Sequence, residues 1–214
     1  MTLVLDESHC ANSGLHHTGQ SAATPGCRFP NRIRQPPVPV SFLWILAPFT
    51  AKLALVPETA YLSLGSNLGD RAANLRAAIA QLDVAGRLLA VSSMYETQPV
   101  DVPDQPWFLN CVAAIETDKT PRELLQIALQ VEAAMGRLRM REKGARKIDI
   151  DVVLFGDRVV DESGLKIPHP AMHRRRFVLE PLVEIAAEVR HPQLGKTAQE
   201  LLAALPGGQT VRRL

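Results

Sequence analysis

From residue 60 onward, apolar positions recur with two different periods. Ala60 to Gly65 is a short apolar run that stops at Gly65-Ser66-Asn67, the pattern of a strand feeding a loop. Leu75, Ala78, Ile79 and Leu82 then return at helical spacing. Leu88 to Tyr95 and Cys111 to Ile115 read as strands, and the loop between them is punctuated by Pro99, Pro103 and Pro106. Thr120-Pro121-Arg122-Glu123 predicts a helix start. Thr caps, Pro takes the first helical position and Glu reaches back to close a capping box. Leu124, Leu125, Ala128, Val131 and Met135 carry that helix's apolar face. Ile148 to Phe155 predicts another strand, and Phe177 to Ile185 and Ala198 to Leu205 predict short helices. The expected fold class is α+β. It is a ferredoxin-like β-α-β-β-α-β sandwich with an irregular N-terminal extension.

The first 57 residues follow neither period. They hold seven of the sixteen prolines, so residues 1–57 are expected to be a disordered or irregular extension ahead of a domain spanning 58–214. Val40 to Val56 is apolar apart from Ser41, Thr50 and Lys52, and Pro48 interrupts it. That run is short for a membrane span, and the polar chain ahead of it is unlike a signal peptide. No stable membrane association is expected. The three cysteines, Cys10, Cys27 and Cys111, are odd in number and scattered, so they make no disulfide framework. Cys10 and Cys27 flank His16 and His17, but the intervals match no common zinc pattern. A reducing, cytoplasmic setting follows. A monomer is expected.

Composition narrows the function classes. Of 214 residues, 46% are apolar and 21% charged, with a net charge of +2, which excludes a nucleic-acid-binding polycation. The positive charge is concentrated instead. Arg137, Arg139, Arg141, Lys143, Arg146 and Lys147 fall within eleven residues, against only Glu142. Directly after them, Asp149 and Asp151 sit two apart in a predicted strand, so their side chains share a face, about 7 Å apart at the backbone. Such carboxylates suit magnesium completed by substrate phosphates, and the basic cluster suits a polyphosphate. The same pattern also fits solvated acids on an edge strand and a solvated basic face. RNA binding is disfavoured because paired aromatics on a central strand are missing. His169 after Pro168, and Arg174-Arg175-Arg176, add candidate phosphate contacts. In Trp107-Phe108-Leu109-Asn110 an aromatic next to an amide suits a flat heterocycle, and Phe108 equally suits a core.

Taken together, these segments resemble one family. Leu64-Gly65-Ser66-Asn67-Leu68-Gly69-Asp70, Ser92 to Thr97 and Asp104 to Asn110 stand in the order found in hydroxymethyldihydropterin pyrophosphokinases. So do Glu132 with Gly136-Arg137, Gly144 to Asp151, and Ile167-Pro168-His169-Pro170. The resemblance covers about residues 58 to 205. It implies transfer of pyrophosphate from ATP to 6-hydroxymethyl-7,8-dihydropterin, releasing AMP, in folate biosynthesis. It also implies that Asp149 and Asp151 hold two Mg2+ ions. Arg137 and Arg146 join the two aspartates as the implied catalytic set. Thr97, Val100, Phe108, Asn110 and Phe177 are the implied pterin pocket, with Phe108 and Phe177 on either side of the ring. Glu132, Arg137, Arg139, Lys143, Arg146, Val152, His169 and Arg175 are the implied ATP site. The chain departs from the family pattern at Ala145, where Pro is usual, at Pro170, and in a basic loop about one residue short near Lys143.

Overall fold

A computed structural model describes residues 56–99, 105–136 and 145–214. Strand β1 (Glu58–Ser66) feeds helix α1 (Arg71–Gln81), whose N-cap Asp70 accepts from Ala73 N–H at 2.9 Å. Strands β2 (Arg87–Val91) and β3 (Tyr95–Thr97) follow, then β4 (Phe108–Thr117). Helix α2 (Pro121–Ala134) opens with the expected capping box. Thr120 N–H donates to Glu123 at 2.7 Å, and Glu123 N–H donates to Thr120 Oγ1 at 3.2 Å. Strand β5 (Asp149–Phe155), the hairpin β6 (Val160–Glu162) and β7 (Leu165–Ile167), helices α3 (Arg176–Ala186) and α4 (Ala198–Ala203), and strand β8 (Val211–Arg213) complete the chain.

The six-stranded sheet runs β5-β1-β4-β3-β8, with β2 pairing β4 alongside β3, and every pairing is antiparallel. Its two faces bury different partners. Ala60, Leu62 and Leu64 of β1 and Leu109, Cys111, Ala113 and Ile115 of β4 point at Leu75, Leu82, Leu124 and Ala128 from α1, α2 and the turn after α1. On the opposite face, Val112, Val153 and Leu154 pack with Val178, Leu179, Leu182 and Leu201 of α3 and α4. The sheet is thus covered by helices on both sides, except at the end where the second face carries Ser63, Gly65, Phe108 and Asn110.

One irregularity decides what β5 presents. Tyr61 pairs with Leu154 but Leu62 pairs with Val152, so Val153 is an extra residue in a bulge. Before the bulge, Asp149 and Asp151 share the second face while Ile150 and Val152 enter the first core. Strict alternation would have sent Phe155 to the aspartates' face; the bulge turns it into the first core instead.

Two expectations differ from the structure, and two features were not expected. The single strand over Leu88 to Tyr95 is two strands. The pairing shifts by one residue between Val91–Ala113 and Tyr95–Asn110, and the Ser92 hydroxyl accepts the Val112 N–H at 3.0 Å inside the break. The strand over Cys111 to Ile115 runs longer at both ends, because β1 and β3 supply partners that carry it through Asn110 and Glu116, residues of weak intrinsic strand preference. The hairpin β6–β7 and the strand β8 carry no expectation at all. The hairpin had a local signal in Asp161-Glu162-Ser163-Gly164, where Gly164 takes φ 74° in the turn. Strand β8 has none, since Val211-Arg212-Arg213 is too short and polar to show a period. No helix among the described residues is long and apolar enough to cross a membrane.

Candidate active site

At the uncovered end of the second face lies an open cavity of about 580 Å³. Ser63 and Gly65 of β1, Phe108 and Asn110 of β4, and Asp149 and Asp151 of β5 form its floor, all by the period-2 rule of adjacent strands. Its walls come from Thr97, Gln98, Pro99 and Gln105, from Arg146, from His169, Ala171, Arg174 and Arg175, and from Phe177 and Gln209.

One half of the cavity is aromatic and amide-bearing. Asn110 donates from Nδ2 to Thr97 Oγ1 at 2.6 Å, which ties the side chain to β3. Its Oδ1 lies over Gly65, where a Cβ would stand 2.7 Å away; only the absence of a side chain on β1 makes room. The Phe108 ring lies beside it, with the Arg146 guanidinium 6.0 Å from its centroid. The Phe177 ring carries Arg175 at 5.6 Å in the same way.

The other half is charged. Arg146 Nη1 meets Asp149 Oδ2 at 3.0 Å. The loop that delivers Arg146 is held by Asn67. The Arg146 N–H donates to Asn67 Oδ1 at 2.7 Å and Asn67 N–H returns to the Arg146 carbonyl at 3.1 Å. Arg146 Nε is the one buried side-chain donor among the described residues with no acceptor. Asp151 Oδ2 stands 3.9 Å from His169 Nε2 and 3.8 Å from Arg175 Nη1, outside hydrogen-bond reach of either. Burial, and then the charge of Asp149, push the Asp151 carboxyl upward. Burial pushes His169 downward, so the ring is neutral near pH 7. Its Nδ1 accepts the Ala171 N–H at 3.1 Å, which places the ring proton on Nε2.

The structure therefore brings Thr97, Phe108, Asn110, Phe177, Arg146, Asp149, Asp151, His169 and Arg175 to one cavity. Two expected residues lie elsewhere. Val152 is in the first core, on the far side of β5 from the aspartates. Glu132 is buried on α2 and accepts the Ile150 N–H at 2.7 Å. Neither lines the cavity. Val100, Arg137, Arg139 and Lys143 lie outside the described residues. Sequence reasoning missed Ser63, Gly65, Gln98, Pro99, Gln105, Ala171 and Gln209 as lining groups, while Arg174 belongs to the basic triplet it had singled out. Ser63 and Gly65 were legible in principle, being two and four positions into the face opposite Leu62 and Leu64; Gln209 had no local signal.

The profile of the family described as 7,8-dihydro-6-hydroxymethylpterin-pyrophosphokinase (HPPK) matches residues 61–187. The chain belongs to that family. Its reaction class is therefore pyrophosphoryl transfer to a hydroxymethylpterin, a step of folate biosynthesis. The match takes in every cavity residue except Gln209. A 2-amino-4-hydroxy-6-hydroxymethyldihydropteridine pyrophosphokinase of Methylorubrum extorquens is 45% identical over 152 residues, covering 70% of this chain and 95% of that protein. The Bacillus subtilis protein of the same name is 45% identical over 132 residues, covering 61% of this chain and 79% of its own length. The Schizosaccharomyces pombe folic acid synthesis protein fol1 is 43% identical over 151 residues, or 70% of this chain, but the match spans only 21% of fol1. A crystal structure of wild-type Plasmodium falciparum HPPK-DHPS shares the fold with a TM-score of 0.58 at 16% identity. That match covers 69% of this chain and 44% of the other.

Proposed function

We propose that this cavity is where pyrophosphate passes from ATP to 6-hydroxymethyl-7,8-dihydropterin, giving the pterin diphosphate and AMP. One observation carries the reading: an aromatic, amide-bearing half and a carboxylate–guanidinium half open into the same space. A flat heterocycle fits the first and a polyphosphate fits the second, and the reaction joins the two. Family membership supports the same assignment.

In this reading the ring lies between Phe108 and Phe177, and Asn110 Oδ1 accepts from its edge. The ring thereby directs its hydroxymethyl group toward the charged half. Arg146, whose Nε lacks a partner, and Arg175 neutralise phosphate oxygens. His169 donates from Nε2 to the same group. The pterin hydroxyl oxygen bonds to the β-phosphorus, and the bond from that phosphorus to the oxygen shared with the α-phosphorus breaks. AMP leaves with that oxygen, and the hydroxyl proton passes to water. Positioning and charge neutralisation supply most of the acceleration.

The donor set fits magnesium. Asp149 and Asp151 are two hard oxygen donors on one strand face, and both line the charged half of the cavity. Two Mg2+ ions held there with the phosphates would supply Lewis-acid neutralisation of the triphosphate. Residues 58–214 form the working domain. Its strands β5-β1-β4-β2 with helices α1 and α2 are read as a ferredoxin-like unit, enlarged by α3, α4 and β8. The protein works as a cytoplasmic monomer without nucleic acid.

Two outcomes test this assignment. Phe108→Ala weakens pterin binding about fivefold to tenfold, the loss expected from about 1 kcal/mol of stacking, and leaves ATP binding unchanged. Calorimetry with each ligand checks it. Equal losses together with a large fall in Tm would mean that Phe108 only packs. A chain beginning at Val56 keeps wild-type turnover and Tm, because β1 starts at Glu58 and every described cavity residue lies at Ser63 or later. Lost activity, a Tm many degrees lower, or membrane sedimentation of the full-length chain alone would overturn the domain and cytoplasmic assignments.

A further inference from the structure

The C-terminal strand does more than extend the sheet. It pairs with β3 in the register Tyr95–Arg213, Glu96–Arg212 and Thr97–Val211, so it runs beside the segment that carries Thr97. Gln98 N–H donates to the Thr210 carbonyl at 3.2 Å, and Leu214 N–H to the Met94 carbonyl at 2.9 Å. Side chains fasten it further. Arg212 binds Glu96, which also accepts from Arg71 at 2.8 Å. Arg213 reaches Glu184 of α3 at 2.7 Å, and Glu184 in turn accepts from Ser93 Oγ and Tyr95 OH at 2.8 Å each. Residue 209 is therefore delivered to the cavity wall by a strand anchored to both β3 and α3.

Gln209 faces the cavity between Gln98 and the start of α3. Its Oε1 accepts the Arg176 N–H at 2.8 Å, a first-turn donor with no acceptor inside the helix. Only the amide oxygen can accept, so that bond fixes the flip of the amide. Nε2 is then the end left to donate, and it has no acceptor among the described residues. Phe177, the next residue after Arg176, stands at the same wall.

Resting on the proposed function, we infer that Gln209 is a specificity-determining residue that donates from Nε2 to an in-plane acceptor, a ring nitrogen or carbonyl oxygen, of the pterin. Its place beside Thr97 and Phe177, in the amide-bearing half of the cavity, favours a neutral ring edge over a phosphate. With Asn110 Oδ1 as an acceptor and Gln209 Nε2 as a donor, the cavity reads both kinds of group on a heterocycle's rim.

Two substitutions in the full chain separate reading from capping. Gln209→Glu keeps an oxygen for the Arg176 N–H and removes the donor. Gln209→Met removes both without adding charge. Pterin titration in the presence of an ATP analogue that cannot transfer pyrophosphate gives Kd, steady-state assays give both KM values, and melting gives Tm. Gln209→Glu is expected to hold the wild-type Tm and Gln209→Met to lose some of it. Both weaken pterin binding about tenfold, and both leave KM for ATP within about twofold. Wild-type pterin Kd in either variant overturns the inference, as does an equal loss for pterin and ATP. A wild-type chain that binds pterin yet transfers nothing overturns the reaction assignment instead, and the Kd comparison still decides the role of Gln209.

Discussion

Asp149→Ala and Asp151→Ala each cut pyrophosphoryl transfer about a thousandfold or more while leaving a folded protein. The two carboxylates share the cavity face of β5, and neither belongs to either core cluster. Removing one leaves the triphosphate without half of its metal-holding set, so the loss falls on turnover at saturating ATP and magnesium. Folding responds differently at the two positions. Asp149 meets Arg146 at 3.0 Å, and its removal strips a partner from a guanidinium already short of one, so Tm falls by a few degrees. Asp151 has the opposite sign. Burial and the neighbouring Asp149 raise its folded pKa above the unfolded value. The folded state then binds the proton more tightly, and the ionised group opposes folding at neutral pH. Asp151→Ala therefore holds or raises Tm. AMP release and melting curves check both variants, and near-normal turnover in either one would remove the metal assignment.

Gly65→Ala disables pterin use through a residue that never touches the phosphates. A Cβ at position 65 would lie 2.7 Å from Asn110 Oδ1, closer than carbon and oxygen approach. Asn110 cannot simply swing away, since it is buried and its Nδ2 is held by Thr97 Oγ1 at 2.6 Å. Either that bond breaks or β1 and β4 separate. The strain costs about 1–3 kcal/mol of stability. The larger effect is on recognition. The amide is displaced, and pterin KM rises about tenfold to a hundredfold while ATP binding holds. Gly69, with nothing within 4 Å of its Cβ direction but φ 64°, is the control for backbone strain alone. Wild-type pterin KM in Gly65→Ala would show that Asn110 does not read the ring.

The order of the main elements was legible in the sequence because each is written in a local period or cap. The Thr120–Glu123 box, the helical spacing of Leu124, Ala128 and Val131, and the alternation that puts Asp149 with Asp151 all concern residues a few positions apart. Resemblance to a known family then added the roles of residues whose local pattern allowed a bland reading as well, Phe108 and His169 above all.

What the tertiary structure alone decided involves residues far apart in the chain. The Asn67–Arg146 bond spans 79 positions, the Ser93–Glu184 bond 91 and the Gln209–Arg176 bond 33. No period links such residues, because their meeting depends on strand order, register and the direction each loop takes. The bulge at Val153 is of the same kind. It leaves both aspartates facing the cavity yet returns Phe155 to the core, and it follows from how β5 pairs with β1. Gly65 shows the limit most plainly. As a sequence symbol it marked the end of an apolar run, but the space it leaves matters only because β4 places Asn110 directly across from it.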